Sequence, residues 1–272
     1  MTDTATLPDG TVLRPLVSHD DRAAAVRLQQ DTWGADFQEC VPGAIFMIAE
    51  KVGGVAAGAF APDGSLLAFV FGLTGIKDGV LVHWSDMLAV RPDARGRHIG
   101  EALKQYQRDR CRALGVVTMF WTFDPFVARN AHLNLNRLGA TIAEFVPDMY
   151  GETGSAVHTL GTDRFVAAWP VQTEPVPMHP VPARLTGVPL VADDGLAAFR
   201  YGAALPDAEL VAVPVPHDLK ALVALDLPRA KIWHLSARRA FTQYLANGYH
   251  VTAFLPGGPG NARYLLTKDD PR

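Results

Sequence analysis

Length, composition and charge exclude several classes of protein. The chain has 272 residues, enough for one large domain or two small ones, and its 49% hydrophobic and 19% charged residues are typical of a globular protein. Lys and Arg total 25 against 28 Asp and Glu, and the resulting net charge of -3 indicates no nucleic-acid partner and no membrane surface.

Cysteine usage and the N-terminus indicate the compartment. Cys40 and Cys111 lie far apart and match no metal-ligand spacing, so the sequence predicts no metal site. Two thiols in a chain of this length favour a reducing compartment over a disulfide framework. The start is polar, and no apolar run reaches the roughly 20 residues needed to span a bilayer. We therefore expect a soluble, cytoplasmic protein.

The N-terminal third predicts two helices and a series of antiparallel strands. Periodicity places these elements as a strand over 11–17, helices over 19–32 and 41–51, and strands over 54–61, 66–73 and 80–90. Asp63-Gly64 is a strong hairpin signal, and residues 75–79 predict another turn. A pair of helices followed by a meander is the expected arrangement.

The middle third predicts alternating strands and helices. A loop over 91–94 and the segment 95–100 lead into a helix that ends near Leu114, where Gly115 stops it. The elements that follow are a strand over 116–123, a helix over 126–138 and a strand that begins at 141.

Prolines mark a boundary between 170 and 189, which reads as a linker or an extended arm. Beyond it the sequence predicts a strand over 210–215, helices over 217–225 and 229–247, and two final strands. Pro214 favours an edge position for the first of these strands, or a shorter strand. The predicted domains are residues 1–168 and 190–272, joined by the segment 169–189.

One internal similarity relates the C-terminal domain to the first domain. Gly139 to Pro147 matches Gly248 to Pro256 at a constant offset, with Phe and Pro at the same places in both copies. Each copy follows a predicted helix, and the strand before that helix ends at a proline in both cases. The pattern favours a degenerate half-repeat of the first domain's second half.

The segment from Arg95 to Gly100 has the features of a phosphate-binding loop. It joins a strand to a helix start, where backbone N–H groups and the positive end of the helix dipole meet. Gly96 and Gly100 let the backbone approach an anion closely, and Arg95 and Arg97 add positive charge. The loop follows a meander and lacks Gly-Lys-Ser/Thr, which argues against dinucleotide-binding and Walker loops.

The segment from Leu88 to Gly100 resembles the acetyl-coenzyme A motif of the GNAT superfamily, in which a strand and a proline precede Arg/Gln-x-x-Gly-x-Gly/Ala at a helix start. Residues 130–140 resemble the second motif of that family, a helix ending in Leu-Gly. The resemblance implies an α/β fold of the α+β type, with a mixed, mostly antiparallel sheet flanked by helices. This resemblance covers roughly the first 165 residues, and the internal similarity then predicts a smaller, truncated GNAT-like domain at the C-terminus.

The same resemblance implies how acetyl-CoA or another acyl-CoA binds. The pantetheine arm pairs with the strand that ends at Val90, and the thioester lies near the backbone of Leu88 and Ala89. The residues expected to bind the coenzyme are Leu88, Ala89, Val90, Arg95, Gly96, Arg97, His98, Ile99, Gly100 and Asn130.

Some positions depart from the family's pattern or allow two interpretations. His98 stands where the family has its central Gly, so the loop needs a backbone conformation that a non-Gly residue can adopt. Leu135 stands where many members carry a Tyr that protonates the leaving thiolate. Tyr244 has the corresponding place in the half-repeat, either as a displaced acid or as a core tyrosine. For Asn130, a solvated helix face competes with coenzyme binding.

N-acylation needs a base for the acceptor ammonium. Strand alternation places Trp84, Asp86 and Leu88 on one face, which we expect to look towards the acceptor, so Asp86 is the first candidate. His83, packed or exposed on the opposite face, and Asp124 are the alternatives. A structural role competes with catalysis for each of them.

The sequence therefore predicts an acyl-CoA-dependent N-acyltransferase acting on the amine of a small molecule such as an amino acid. Fused chains of this length resemble enzymes that acylate amino acids, including the N-succinylation of D-amino acids from succinyl-CoA. Two alternatives stay open: a non-catalytic CoA-binding or structural module, which His98 and Leu135 favour, and acetylation of protein lysines. The sequence is compatible with a homo-oligomer.

Overall fold

The computed structural model describes residues 4–35, 37–151, 160–174, 204–257 and 262–268. Most of the predicted linker or arm, residues 175–189, and the start of the predicted C-terminal domain lie outside the described residues. The chain divides into two compact units, which are Met1–Trp121 with Trp169–Glu174, and Thr122–Ala168 with Pro175–Arg272. The domain limits near residues 168 and 189 stay a prediction.

The first unit is a sheet with helices packed against it. Its elements are β1 (Ala5–Thr6), β2 (Val12–Pro15), α1 (His19–Trp33), α2 (Gly43–Lys51), β3 (Val55–Phe60), β4 (Leu66–Lys77), β5 (Val80–Val90), a 3₁₀ turn (Pro92–Ala94), α3 (Ile99–Ala113) and the first part of β6 (Thr118–Phe123). The strand order is β1-β2-β3-β4-β5-β6, and every neighbouring pair is antiparallel except β5 and β6, which are parallel. The predicted mixed, mostly antiparallel sheet flanked by helices is confirmed.

Local sequence signals account for the first helix. Ser18 precedes α1 in a capping box, in which its hydroxyl accepts the Asp21 N–H and the Asp21 carboxylate accepts the Ser18 N–H, both at 3.0 Å. Arg14 of β2 forms an ion pair with the same carboxylate, with 2.8 Å between Nη1 and Oδ2. The apolar residues of α1 and α2, such as Phe46, are buried against the sheet, where Phe71 is one of their neighbours.

The hairpin between β4 and β5 has a tighter turn than predicted. β4 extends to Lys77, and only Asp78 and Gly79 separate it from β5. Both turn residues have positive φ, 52° at Asp78 and 77° at Gly79, as a two-residue hairpin turn requires. The Asp-Gly pair is a stronger signal than Gly75, because the pair supplies both positive φ values.

The second unit contains the rest of β6 and two groups of strands. Its elements are α4 (Ala128–Ala131), a π-helical turn (His132–Arg137), β7 (Thr141–Val146), most of β8 (Arg164–Pro170), β9 (Leu210–Val215), α5 (Leu219–Leu225), α6 (Leu227–Ala246), β10 (Tyr249–Leu255) and β11 (Ala262–Lys268). The strand orders are β6-β8-β7 and β9-β11-β10. Pro214 lies in β9, at the edge of its sheet as predicted. Within the described part of the chain, no helix has the length and apolar character that crossing a membrane requires.

The helix after β6 is less regular than predicted. The sequence predicts one helix over 126–138, but α4 is a single turn that continues as the π-helical turn. The Leu138 N–H donates to the Leu133 carbonyl, five residues back, at 2.9 Å. The wide turn buries Asn134 and Leu135. An apolar repeat every three to four residues does not distinguish this winding from a regular helix.

The two matching segments in the second unit have corresponding structures. Gly139 and Gly248 both take a positive φ after a helix, 70° and 78°, and lead into β7 and β10 respectively. Each strand has a β-bulge at the same place in the match, at Ala143 in β7 and at Thr252 in β10. In both groups, the last strand in sequence lies between the other two strands.

Aromatic side chains form the core of the second unit. Phe165 of β8 and Tyr264 of β11 lie opposite matching positions of β7 and β10, and their ring centroids are 5.4 Å apart. Phe241 of α6 lies 4.8 Å from Phe165 and 5.4 Å from Tyr264, and all three side chains are fully buried. Tyr264 also donates its hydroxyl to the Pro125 carbonyl at 2.8 Å. The C-terminal strands and β8 therefore share one core.

An ion cluster joins α6 to both ends of the β7–β8 connection. Arg238 Nη2 lies 2.6 Å from Asp163 Oδ1 and 2.7 Å from Asp148 Oδ1, and His234 Nε2 lies 3.2 Å from Asp163 Oδ2. The side chain of Asp163 is 1% exposed. Desolvation raises the pKa of this carboxyl, but hydrogen bonds from His234 and Arg238 outweigh it and leave the pKa at about 2. The ionised Asp163 therefore stabilises the second unit.

Asp163→Asn should lower the free energy of unfolding by about 2 kcal/mol at pH 7, since a fall in pKa from 3.8 to about 2 corresponds to that energy. Because the folded pKa is depressed, the stabilisation is present above about pH 4 and is lost as the pH falls towards about 2. Urea unfolding at pH 7 and pH 3 measures the effect, which should be smaller at pH 3. Asp109→Asn, on the exposed face of α3, is the control. A loss of equal size at both pH values would contradict this account.

Candidate functional site

The loop after β5 ends at a helix start without a capping side chain. After the 3₁₀ turn, the chain passes through Gly96, whose φ is 79°, and His98, whose φ and ψ are 57° and 15°. α3 begins at Ile99, and the side chain of His98 makes no capping bond to its first turn. The first N–H groups of a helix, together with the positive end of its dipole, form an arrangement that binds phosphate groups.

The arginines of this loop have different partners. Arg97 forms an ion pair with Asp9, and its hydrogen bond lowers the pKa of that carboxyl to about 2. Arg95 is exposed, and its Nε donates to the Val90 carbonyl at 3.4 Å. An anion at the helix start would meet positive charge chiefly from Arg95, because Asp9 already offsets the charge of Arg97.

Gly100 lies where α3 packs against the end of β5. A Cβ at this position would be 3.5 Å from a methyl group of Val90 and 3.6 Å from one of Leu88, which is ordinary van der Waals contact. The structure thus brings together three of the residues that the sequence predicts to bind the coenzyme.

β5 and β6 pair over only part of their lengths. The parallel ladder joins residues 82–84 to residues 118–120. β5 continues to Val90 with no further pair to β6 among the described residues. One edge of β5 therefore presents backbone N–H and C=O groups to a gap, and an extended ligand can pair with them as another strand would.

A β-bulge at Asp86 interrupts the other edge of β5. Ser85 pairs with Gly72 of β4, and Met87 pairs with the adjacent Phe71, so Asp86 is the extra residue in the ladder. Ser85 consequently lies on the α3 side of the sheet, whereas Met87 lies in the core that α1 and α2 cover.

The predicted alternation along β5 is wrong at Leu88. The sequence places Leu88 on the face of Asp86, opposite Ser85, but the structure places it beside Gly100 on the α3 side. The extra residue of the bulge shifts the alternation by one position. No turn residue or proline in the local sequence marks the bulge.

Asp86 is exposed, yet its carboxyl is partly desolvated. Desolvation raises the pKa of Asp86 above its ordinary value, and the negative charge of Glu39, between α1 and α2, raises it further. A carboxylate with a raised pKa is a stronger base than a fully solvated one. The position and the pKa of Asp86 are both compatible with the predicted role.

His83 is buried and uncharged, so it is a poor candidate for the base. Its Nε2 lies 3.0 Å from Gln107 Nε2, and its Nδ1 lies 2.9 Å from Thr74 Oγ1, which donates to the Gly53 carbonyl. Burial, and then the positive charge of Lys104, lower the pKa of His83 to about 3. The imidazole is a packed, hydrogen-bonded core group, which is one of the two outcomes that the sequence left open.

Lys104 is a buried cation that the sequence predictions did not include. It is 3% exposed, its Nζ donates to the Ser85 hydroxyl at 2.7 Å, and it lies 4.1 Å from the centroid of the Trp121 ring. Desolvation lowers its pKa to about 7. Helical spacing is the sequence signal that could have pointed to Lys104. Gly100, Lys104 and Gln107 lie three and four residues apart, on the face of α3 that packs against β5.

The other predicted residues belong to the second unit. Asp124 follows β6 and accepts a backbone N–H at 2.8 Å, and desolvation raises the pKa of its carboxyl. Asn130 is half-buried in α4, and Leu135 is fully buried in the π-helical turn. Tyr244 is 4% exposed and donates its hydroxyl to the Pro206 carbonyl at 2.8 Å, so it is a core tyrosine rather than a displaced acid.

In comparisons with known proteins, this chain is similar to solved structures. No protein-family model matches the sequence, and no curated protein matches it. The chain is similar to the ribosomal-protein-S18-alanine N-acetyltransferase from Escherichia coli, at 18% identity and a TM-score of 0.47, with 60% of this chain and 95% of that chain covered. It is similar to aminoglycoside 6'-acetyltransferase type Ii at 15% identity and a TM-score of 0.46, covering 60% and 99%. A third similar structure is aminoglycoside 6'-N-acetyltransferase complexed with coenzyme A, at 13% identity and a TM-score of 0.44, covering 58% and 95%.

His98→Gly tests the backbone conformation of the loop. A left-handed residue other than glycine costs about 1 kcal/mol, although His tolerates this conformation better than most residues do. We expect the free energy of unfolding of His98→Gly to exceed that of His98→Ala by roughly 0.5–1 kcal/mol, because Ala keeps the cost and loses the same ring. Thermal unfolding of the two variants measures this difference. Equal midpoints would show that the left-handed conformation is not kept in solution.

Proposed function

We propose that the chain is a GNAT-type N-acyltransferase, which transfers an acyl group from acyl-CoA to the amine of a small molecule. The observation that carries this proposal is the unpaired edge of β5, which leads from the bulge at Asp86 to the uncapped start of α3. Helix starts bind phosphates and strand edges pair with amides. Coenzyme A carries a diphosphate at one end of an extended, amide-bearing arm and therefore fits both features.

Each part of the donor has a group of the chain to hold it in this proposal. The first N–H groups of α3, reached through Gly96 and Gly100, bind the diphosphate, and Arg95 supplies positive charge. The free edge of β5 pairs with the pantetheine arm. The backbone of Leu88 and Ala89 donates to the oxyanion that forms when the thioester carbonyl is attacked.

Asp86 is the base in the proposed reaction. The acceptor ammonium must lose a proton before its nitrogen can attack the thioester carbonyl. The Asp86 carboxyl is exposed, its pKa is raised, and it lies at the bulge two residues before Leu88. Asp124 is the alternative, since desolvation raises the pKa of its carboxyl as well.

We propose a small amine such as an amino acid as the acceptor, and acetyl-CoA or succinyl-CoA as the donor. N-succinylation of a D-amino acid is the narrowest form of this proposal. The resemblance to fused GNAT-like chains of this length supports this narrowest form. The geometry of the site supports only the transfer of an acyl group.

A CoA-binding module without activity is the second candidate. Leu135 favours it, because this apolar side chain stands where many GNAT enzymes have the Tyr that protonates the thiolate. Thiol release from acyl-CoA with a panel of amines distinguishes the two candidates. A mere binding protein would gain thermal stability from CoA without releasing any thiol.

We also propose that the C-terminal part is a degenerate half-repeat. The matching bulges at Ala143 and Thr252 and the matching strand orders support it. The π-helical turn contacts β10 and α6 contacts β7, so the two copies exchange equivalent contacts, as the halves of a two-fold dimer do. The second copy would then occupy the place that a second subunit has in such a dimer.

Gly100→Glu tests the phosphate site. The variant places a negative charge at the helix start, and we expect it to abolish measurable CoA binding in calorimetry. Gly100→Gln adds nearly the same bulk without the charge, so its affinity should be higher than that of the Glu variant by about tenfold or more. Gly100→Ala should fold normally, because its Cβ makes only ordinary contacts. Unchanged CoA affinity in Gly100→Glu would rule out a phosphate site at this loop.

Asp86→Asn keeps the size of the side chain and removes its basicity. We expect turnover in a thiol-release assay to fall by about 10²-fold at pH 7 with little change in CoA affinity. The deficit should shrink as the pH rises, because more of the acceptor is then already deprotonated. Folding raises the pKa of Asp86, so its charged form opposes folding at neutral pH and the variant should be no less stable. Near-normal turnover would redirect the search to Asp124.

A further inference from the structure

Lys104 is buried, and no carboxylate among the described residues pairs with it. Its two close partners are the Ser85 hydroxyl and the Trp121 ring, neither of which is an anion. Burying an ammonium group in this way is costly, and desolvation accordingly lowers its pKa to about 7. Both the amine and the ammonium form are therefore populated near neutral pH.

Lys104 lies where the gap between β5 and β6 closes. Ser85 is the first residue of β5 beyond the last paired position, and Trp121 is the first residue of β6 beyond it. α3 runs back along β5, since Gly100 lies beside Leu88 while Lys104 reaches Ser85. Lys104 therefore lies further from the helix start than Leu88, at the end of the gap towards which a ligand arm on the free edge of β5 would run.

Polar atoms around Lys104 are only partly satisfied by the protein. Trp121 Nε1 and Gln107 Oε1 are buried and have no hydrogen-bond partner among the described residues. Protein interiors rarely leave such atoms unpaired. These unpaired atoms, together with the Lys104 ammonium, make the layer between α3 and β5 more polar than packing alone would favour.

Acyl transfer leaves a negative charge on sulfur, and a proton is needed there. Leu135 is apolar, and the Tyr244 hydroxyl is already bonded to a backbone carbonyl. We propose that Lys104 is a catalytic residue, which donates a proton to the leaving thiolate of coenzyme A. The proposal rests on the acyl-transfer function proposed above.

Lys104 acts when the C–S bond of the thioester breaks. The acceptor nitrogen forms a bond to the carbonyl carbon, and the C–S bond breaks with its electron pair passing to sulfur. A proton moves from Lys104 Nζ to sulfur, which is favourable because a thiol with a pKa of about 8.5 is a weaker acid than this ammonium. The surplus proton on the new amide nitrogen restores the Lys104 ammonium. Asp86 releases to solvent the proton that it took from the acceptor.

His83 and Cys111, two other titratable groups near Lys104, do not change their charge near neutral pH. His83, on β5, is neutral with a pKa of about 3, and Cys111, on the same helix, stays a thiol because burial raises its pKa to about 12. Asp86, at the bulge, is the base whose ionisation gives the rising limb of the pH profile. A falling limb near neutral pH therefore reports on Lys104.

The test compares Lys104→Met with the wild type and with Lys77→Met. Met fills a similar volume without a charge, and Lys77 is a matched control that is exposed but also lies over an aromatic ring, 4.9 Å from the centroid of Phe120. We expect Lys104→Met to melt at a higher temperature, to bind CoA with unchanged affinity, and to release thiol about 10²-fold more slowly. We expect the kcat/KM of the wild type to fall above about pH 7, and that of Lys104→Met to lack this fall. Lys77→Met should match the wild type.

The outcomes separate the two proposals. Wild-type thiol release with equal turnover in Lys104→Met would overturn the role of Lys104 and leave acyl transfer intact. A wild-type protein that binds CoA but releases no thiol with any amine would overturn acyl transfer, and this step with it. A Lys104→Met protein that melts at a lower temperature and no longer binds CoA would make Lys104 a structural residue.

Discussion

β5 and β6 stop pairing after Trp84 and Phe120, and most of the candidate site depends on this interruption. The bulge at Asp86 lies just beyond the last pair, and bulges bend a strand and increase its twist. Pairing with β4 continues from Met87, so β5 stays ordered on one edge while its other edge keeps unpaired amides. Unpaired backbone groups within a sheet are costly unless something bonds to them. The proposed coenzyme arm would satisfy them.

The layer between α3 and β5 is more polar than stability alone would favour. His83, Ser85 and Lys104 are all buried, and Gly72 makes room for His83 and Gln107, since a Cβ there would clash with His83 Nε2 and lie 2.9 Å from Gln107 Nε2. Replacing buried charged groups with apolar side chains of similar volume often stabilises a protein. Local choices that oppose stability are expected at functional sites. This polar layer lies where the free edge of β5 begins. One mechanism, the proposed acyl transfer from coenzyme A, therefore accounts for both features.

The second unit is held together by contacts between segments that are distant in sequence. Phe165 packs against Phe241 and Tyr264, and Arg238 binds Asp163. Segments on both sides of the undescribed residues 175–203 therefore supply one core and one ion cluster. A chain cut between them would expose both, so the C-terminal part is integral to the folding of β7 and β8.

Features that depend on neighbouring residues could be predicted from the amino-acid sequence. These are the antiparallel hairpins of β3, β4 and β5, the loop from Arg95 to Gly100 and the edge position of β9, because turns, prolines and periodicity act within a few positions. The folded structure was needed to find the bulge at Asp86, the pairing of Arg97 with Asp9 across 88 residues and the burial of Lys104. Strand register, ion pairing and burial are properties of surfaces that meet after folding. Helical spacing puts Lys104 on one face of α3 with Gly100, but it does not show that this face is buried.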